Sequence, residues 1–200
     1  MQKIMNVVMC RGSLTDVIET KTAENKMEET KTVETSLATA TFENTPFFGL
    51  EGPKTCKIVD IYDGDTFTAA TDIPGQGIRL VKCRLMGVDT AEMRNDPKDP
   101  VHDRLKHLAY RARNKAAEFL IDLPPNFDMD SHLPRKQLRH ICGENQREIT
   151  VVFHGMGKYD RFLVEVPVET TSLTQILIDE GLGLAYDGGT KQSIHQLLTD

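Results

Sequence analysis

The dipeptide Asp63-Gly64 separates two runs of residues in which apolar and polar side chains alternate, and this pattern restricts the fold more than any other feature of the chain. Alternation with a period of two is typical of a β-strand that buries one face. Asp-Gly between two such runs favours a tight hairpin, because glycine accepts a positive φ without steric cost. We therefore predict an antiparallel pair of strands, one from about Lys54 and one from Asp65.

After this hairpin, the spacing of apolar residues indicates further strands and helices. Leu and Ala recur at helical spacing before Leu123-Pro124-Pro125, which ends that helix. Ser172 and Gln175 have the spacing of a capping box, which indicates the start of another helix. Residues 124–147 show neither period and are predicted to be irregular. The predicted elements are strands at 78–88, 149–154 and 162–168, helices at 102–121 and 172–181, and optionally a short helix after residue 188.

This order of elements predicts a mainly β fold of the α+β class. Five short strands with a helix between the third and the fourth suit a five-stranded Greek-key OB-fold barrel with two to three helices. A fragment of a β-sandwich is the structural alternative, since strand propensity does not distinguish a closed barrel from two packed sheets.

Residues 11–46 differ in composition from the rest of the chain. They are rich in Thr, Glu and Lys, and the tetrapeptide Glu-Thr-Lys-Thr occurs in them twice. Such a stretch buries too little apolar surface to offset the entropy lost on ordering. We predict a flexible N-terminal tail over residues 1–53 and a single domain over 54–200. Docking of an unknown protein partner by the tail is a weaker hypothesis.

Charge, cysteine content and hydropathy exclude several classes of protein. The formal net charge of -6 argues against a broad basic groove for nucleic acid, but it allows a local cationic site. No apolar run reaches the roughly 20 residues of a membrane span, and the apolar patch at 4–8 is too short for a secretory signal. The four cysteines form no Cys-x-x-Cys pair and are expected to be reduced thiols. We therefore expect an intracellular protein without membrane association, and a monomer.

Three clusters of charged residues occur where a strand pattern does not require them. Asp-Gly-Asp-Thr at 63–66 is, by itself, ordinary turn chemistry. The segment 84–92 contains an arginine of the kind often found on a solvated strand face, followed by an Asp-Thr pair typical of a helix start. Lys-Tyr-Asp-Arg at 158–161 is typical of an exposed hairpin loop. Each cluster alone therefore has a purely structural interpretation.

Taken together and in this order, the clusters resemble the motifs of the staphylococcal nuclease (thermonuclease) family over about residues 55–187. The motifs are Asp-Gly-Asp-Thr, then Arg-Leu-x-x-Val-Asp-Thr-x-Glu at 84–92, Lys-Tyr-x-Arg and Gly-Leu-x-x-Ala-Tyr at 181–186. The resemblance implies a barrel of the OB type and a divalent-metal-dependent phosphodiesterase, an endonuclease that hydrolyses DNA, RNA or both with little sequence specificity.

The resemblance also implies a metal site and a nucleotide pocket. Asp65 and Asp89 would bind the metal through their carboxylates, and Thr90 through its backbone carbonyl. Oxygen ligands without His or Cys select a hard cation, so we expect calcium, with magnesium as the alternative. The residues implied to line the nucleotide pocket are Lys158, Tyr159 and Tyr186.

Three residues are implied to carry the catalysis. Arg84 and Arg161 would hold the scissile phosphate, because the planar guanidinium can donate to two phosphate oxygens at once. Glu92 would position or deprotonate the attacking water. On a regular strand, side chains five residues apart point to opposite faces. We therefore expect an irregularity at Gly87, such as a bulge, to bring Arg84 and Asp89 to one face.

The chain departs from the family pattern at one loop. Family members commonly have Asp-Lys-Tyr-Gly-Arg, whereas this chain has Gly157 at the first of these positions and Asp160 at the fourth. The carboxylate of Asp160 then lies next to Arg161 in sequence and is expected to compete for its guanidinium. The alternative function is therefore a weak or inactive nuclease-like module that binds nucleic acid or protein.

Overall fold

Five strands of the chain form a closed β-barrel, and the computed structural model describes Thr41, Thr45 and residues 48–198. The barrel strands are β1 (Glu51–Ile61), β2 (Thr66–Ile73), β3 (Gly77–Leu85), β5 (Glu148–Met156) and β6 (Phe162–Glu165). Two small antiparallel sheets pair β4 (Gly87–Thr90) with β9 (Gly183–Tyr186) and β7 (Pro167–Val168) with β8 (Thr171–Ser172). The helices are α1 (His102–Leu120), α2 (Arg135–Glu144) and α3 (Leu173–Asp179).

The order of the barrel strands is β1-β2-β3-β6-β5, and β5 closes the barrel by pairing with β1. All neighbours are antiparallel except β3 and β6, which are parallel. In the chain, α1 and α2 lie between the third and the fourth barrel strand. The predicted fold class, a mainly β five-stranded barrel with helices, is confirmed, and closure excludes the sandwich alternative.

The period-two pattern places alternate side chains inside the barrel. On β2 the buried positions include Phe67 and Ala69, and on β3 they are Val81, Cys83 and Leu85. Helix α1 buries a stripe that includes Leu108, Ala112 and Ala116. Each large apolar side chain buried in this way stabilises the fold by about 1.5–3 kcal/mol.

Several element boundaries differ from the sequence prediction. Strand β1 begins at Glu51, so the barrel includes three residues that were assigned to the tail. The predicted strand 78–88 is divided, since β3 ends at Leu85 and β4 belongs to another sheet. The side chain of Ser172 accepts a hydrogen bond from Gln175 N at 3.2 Å, which confirms the predicted cap of α3. A short 3-10 helix at Ile194–Leu198 forms after residue 188.

Of the rest of the predicted tail, the structure describes Thr41, Thr45 and residues 48–50, of which Leu50 is buried in the core. The other tail residues, with Cys10 among them, lie outside the described part of the chain. The other three cysteines, Cys56, Cys83 and Cys142, are free and buried. Within the part of the chain that the structure describes, no helix is both long and apolar enough to cross a membrane.

Helix α2 lies in the stretch that was predicted to be irregular, and that prediction was wrong. The helix buries Leu138 and Cys142. Arg135 and Arg139, one helical turn apart, both donate to the carboxylate of Asp60 on β1, Arg139 at 2.8 Å. These partners are distant in sequence, so the local pattern does not reveal them.

The carboxylate of Asp60 is buried under the two arginines. Burial by itself raises the pKa of Asp60, but hydrogen bonds and charge from Arg135 and Arg139 outweigh burial and lower the pKa below its ordinary value of 3.8. A carboxyl group with a lowered pKa in the folded state contributes stability above its ordinary pKa. This contribution is lost as the pH falls through the lowered pKa.

We predict that Asp60→Asn lowers the free energy of unfolding at pH 7 by about 2–4 kcal/mol, because two half-exposed guanidinium groups lose their buried partner. The difference from the wild-type chain should shrink as the pH falls below 3.8. Urea unfolding at a series of pH values measures both effects. Asp72→Asn, at an exposed position of β2, is the control, and equal destabilisation by the two substitutions would contradict the prediction.

Candidate functional site

The loop between β1 and β2 places Asp65 at one end of the barrel. The loop is closed by a hydrogen bond from Tyr62 N to Thr66 O at 2.9 Å, and Leu85 N donates to Asp65 O at 2.8 Å. Asp65 is fully buried. Because its backbone is bonded to β3, the position of its carboxylate is fixed relative to the barrel.

Gly64 is required in this loop for a reason other than the one predicted. Its φ is not positive. A Cβ atom at Gly64 would instead lie 2.8 Å from Ala112 Cβ on α1 and 2.9 Å from Thr90 Cγ2. The glycine therefore allows α1 and β4 to approach the loop closely, so the site and helix α1 are packed directly against each other.

The guanidinium of Arg84 bridges two carboxylates. Its Nη1 forms an ion pair with Asp65 Oδ1, and its Nη2 lies 2.7 Å from Asp89 Oδ1. All three side chains are largely buried, with Arg84 only 11% exposed. The expected irregularity lies at Gly87, where φ is 80° and the chain passes from the barrel to the β4-β9 sheet. This change of sheet brings Arg84 and Asp89 together.

Thr90, the neighbour of Asp89, binds the other oxygen of Asp65. Its backbone N–H and its hydroxyl both donate to Asp65 Oδ2, at 2.9 and 3.1 Å. Thr66 Oγ1 donates to Asp65 Oδ1 at 2.9 Å. A carboxylate has about four lone-pair positions, so the described donors, together with Arg84, satisfy Asp65 completely.

Asp63 is a buried carboxyl group beside this network. It accepts a hydrogen bond from Asp65 N at 3.3 Å, as expected of a turn residue. Burial raises the pKa of Asp63 to about 6, although the charges of Arg84 and Arg161 and hydrogen bonds from Thr66 lower it in part. Asp63 therefore binds a proton at a higher pH than an exposed aspartate does.

Arg161 approaches the network through Thr66. Its Nη1 donates to Thr66 Oγ1 at 3.4 Å, and its guanidinium lies 5.5 Å from the ring centre of Tyr159. Its Nε is buried and has no hydrogen-bond partner among the described residues. Asp160 is exposed, whereas the side chain of Arg161 contacts Thr66 and Tyr159.

The loop before Arg161 has an unusual backbone. Lys158–Asp160 forms a 3-10 turn in which Tyr159 and Asp160 have φ of 61° and 53°. Left-handed geometry costs free energy for residues other than glycine, and a Gly157 N to Arg161 O hydrogen bond of 2.7 Å holds the turn closed. Tyr159 is 82% exposed, so this turn presents an aromatic ring to solvent.

Lys191 is a member of the site that the sequence did not identify. Its Nζ lies 2.7 Å from Asp89 Oδ1, 3.8 Å from Glu92 Oε1 and 5.9 Å from the ring centre of Tyr186. It therefore connects three predicted site residues. No motif marks this lysine, because it reaches the site only through the path of the chain after β9.

The structure brings most of the predicted residues together, though to different degrees. Asp65, Arg84, Asp89 and Thr90 are in direct contact. Glu92 and Tyr186 are connected to them by Lys191, and Arg161 by Thr66. Lys158 is exposed at the start of its turn, and none of the site contacts described above includes its side chain.

The two carboxylates that were predicted to bind a metal lie close together. Asp65 and Asp89 converge on a single positive group, the guanidinium of Arg84. Among the described residues no group of three or more His, Cys, Asp and Glu side chains could hold a metal. Two carboxylates and a backbone carbonyl do not form such a group, so the predicted ligand set is compatible with this finding.

Comparisons with known proteins add no assignment. No protein-family model matches the chain, and no curated protein is similar to it at a significant level. The resemblance to the staphylococcal nuclease family therefore rests on the four motifs and stays a prediction.

We predict that Gly64→Ala lowers the free energy of unfolding by about 1–3 kcal/mol, because the added methyl group collides with Ala112 and Thr90. Chemical denaturation measures this effect. Gly143→Ala is the matched control, since a Cβ there meets nothing within 4 Å. In helix α2 that substitution should be neutral or stabilising by up to about 1 kcal/mol. Equal effects of the two substitutions would show that the loop is not closely packed on α1.

Proposed function

We propose that this chain is a metal-dependent nuclease that hydrolyses phosphodiester bonds of DNA, RNA or both with little sequence specificity. The observation that carries the proposal is the buried network of Asp65, Arg84 and Asp89, which come from a loop and two strands. A buried ion network has a desolvation cost, and apolar side chains would close a barrel at least as well. Such groups occur preferentially at functional sites.

Two arginines are available for the substrate phosphate. Arg161 has a buried Nε without a partner in the described part of the chain, and its Nη1 makes only a long hydrogen bond to Thr66. Arg84 is connected to Arg161 through Asp65 and Thr66. A unit charge 4 Å from the phosphate contributes about 4 kcal/mol at an effective dielectric of 20. Two guanidinium groups can therefore offset much of the negative charge that repels the attacking water.

Glu92 is the carboxylate best placed to receive a proton. Its side chain is 56% exposed, so water reaches it freely. The carboxylates of Asp65 and Asp89 are buried and already accept hydrogen bonds from the chain. Glu92 then orients the water or removes its proton, a contribution of about 10²–10⁴-fold.

Calcium is the proposed cofactor, held by the Asp65 and Asp89 carboxylates and the Thr90 carbonyl, with magnesium as the alternative. When bound, it supplies positive charge that offsets the charge developing on the non-bridging phosphate oxygens. Thr90 N–H and Thr66 Oγ1 keep the Asp65 carboxylate in one orientation. These hydrogen bonds orient one of the two proposed carboxylate ligands before any metal binds.

Substrate recognition by the exposed rings is consistent with low sequence specificity. Tyr159 is exposed on its turn, and Tyr186 ends β9 beside the site. Aromatic rings stack on any base, because every base has a π face. With a net charge of -6, the chain relies on local arginines and stacking for affinity, and base identity has little influence.

The alternative, a weak or inactive module that binds nucleic acid or protein, is favoured by one observation. Every oxygen of Asp65 already accepts hydrogen bonds from the chain. A site satisfied in this way is stable without a metal. The two functions differ in outcome, since a binding module retains nucleic acid without cutting it.

The test incubates the full-length chain with supercoiled plasmid and with single-stranded RNA, in calcium, in magnesium and with a chelator. The expected result is cleavage of at least one substrate in calcium and none with the chelator. Binding measured by gel shift under the same conditions distinguishes the alternative. A folded sample that binds nucleic acid and cuts neither substrate with either metal defeats the nuclease proposal.

Two substitutions assign any cleavage to this site. We predict that Glu92→Gln lowers the cleavage rate about 10²–10⁴-fold and that Arg161→Ala lowers it about 10²–10³-fold, with thermal unfolding unchanged. Their matched controls are Glu148→Gln and Arg79→Ala, at exposed positions of β5 and β3. Initial rates on plasmid measure the effect. Near-normal rates for both site variants would place the activity elsewhere.

A further inference from the structure

The segment that follows β9, residues 187–198, places the positively charged side chain of Lys191 in the site. Lys191 Nζ lies 2.7 Å from Asp89 Oδ1, and Arg84 Nη2 lies 2.7 Å from the same oxygen. A carboxylate oxygen has two lone pairs. Both lone pairs of Asp89 Oδ1 are therefore used by positive groups of the chain.

The segment is held in place by contacts away from the site. His195 Nε2 lies 2.8 Å from Asp99 Oδ2, and Arg104 of α1 donates to Leu198 O. Ile194, Leu197 and Leu198 pack against the hydrophobic core. Lys191 is thus presented to Asp89 by an anchored segment, which distinguishes this pair from a chance surface ion pair.

Lys191 also lies near the face of a ring assigned to the nucleotide pocket. Its Nζ is 5.9 Å from the ring centre of Tyr186, a distance typical of a cation–π contact. Tyr186 is fixed beside the site because β9 pairs with β4, Tyr186 opposite Gly87. One side chain therefore lies between a proposed metal ligand and a proposed stacking surface.

We propose that Lys191 is a built-in cation that competes with the metal for Asp89 Oδ1, so that calcium binding through this oxygen displaces the lysine. This inference rests on the proposed metal site and adds a mode of regulation to it. Lys191 and a metal ion cannot both bind Asp89 Oδ1 while Arg84 keeps its hydrogen bond to this oxygen. Binding of the metal through this oxygen then requires Lys191 to leave.

Lys191 is the group that leaves more easily. Its side chain is 51% exposed, whereas Arg84 is 11% exposed. An ammonium on a flexible stem is readily rehydrated when it moves into solvent. Arg84 is also bound to Asp65 Oδ1 and Val88 O, so its removal would leave more buried groups without a partner.

The test measures calcium binding to the full-length, metal-free chain by isothermal titration calorimetry, independently of any cleavage. Lys191→Met removes the competing charge and is expected to bind calcium about fivefold more tightly. This change in affinity corresponds to the free energy that a half-exposed ion pair contributes. Lys191→Arg keeps the charge and should bind as the wild-type chain does. Lys98→Met makes the same change of net charge at an exposed position and should also match the wild type.

A second measurement uses the wild-type chain alone and needs no variant to fold. An amine-reactive reagent, followed by mass spectrometry, compares labelling of Lys191 and Lys98 with and without calcium. Calcium is expected to raise labelling of Lys191 severalfold relative to Lys98, because the displaced ammonium enters solvent. Unchanged labelling, or equal or weaker calcium binding by Lys191→Met, overturns the inference.

The outcomes separate this inference from the proposed function. Tighter calcium binding by Lys191→Met in a chain that cuts no nucleic acid supports the competing cation and defeats the nuclease. Equal calcium affinities in a chain that does cut nucleic acid defeat the competing cation and leave the nuclease standing. If calcium binds to none of the proteins, the metal site and the competition for it are both wrong.

Discussion

The guanidinium of Arg84 joins Asp65 to Asp89, and the arrangement of this end of the barrel depends on that bridge. Two carboxylates taken out of water repel each other and require positive partners and hydrogen-bond donors. The fold provides them from separate elements, with Thr66 and Thr90 donating to Asp65. The short β4-β9 sheet has a clear role in this context, because it holds Asp89 and Thr90 against the barrel.

Helix α1 supports the network without contributing a charged group to it. Its Ala112 packs against Gly64, so the loop that carries Asp65 rests on the helix. Asp60 connects β1 to α2 through Arg135 and Arg139. Asp60 and Asp65 are thus both buried carboxylates, one satisfied by a helix and the other by residues of three strands. The ion pairs of Asp60 hold helix α2 in place. The contacts of Asp65 leave Arg84 and a rim of exposed side chains near solvent.

The charges at the site are balanced within the chain. Arg84 and Lys191 face Asp65 and Asp89, and Glu92 and Arg161 lie at the rim. A balanced site is stable in the free protein, whereas a site of bare carboxylates would repel itself and attract cations of many kinds. Under the proposed function, metal binding exchanges one cation of the site for another, and Lys191, which is half exposed, is the group that we propose to leave.

The sequence alone determined the β1-β2 hairpin, the mainly β class, helix α1 and the cap of α3, because alternation, helical spacing and capping act between neighbours in the chain. Closure of the barrel, which excludes a sandwich, was decided by the pairing of β5 with β1. The resemblance to the staphylococcal nuclease family also implied which carboxylates and arginines belong to one site. Only the tertiary structure decided the rest. Helix α2 is stabilised by Asp60, Gly64 is needed for contact with Ala112, and Lys191 reaches Asp89 across 102 positions. Such contacts depend on how elements pack in space, and the periodicity of a local segment contains no information about a partner that far along the chain.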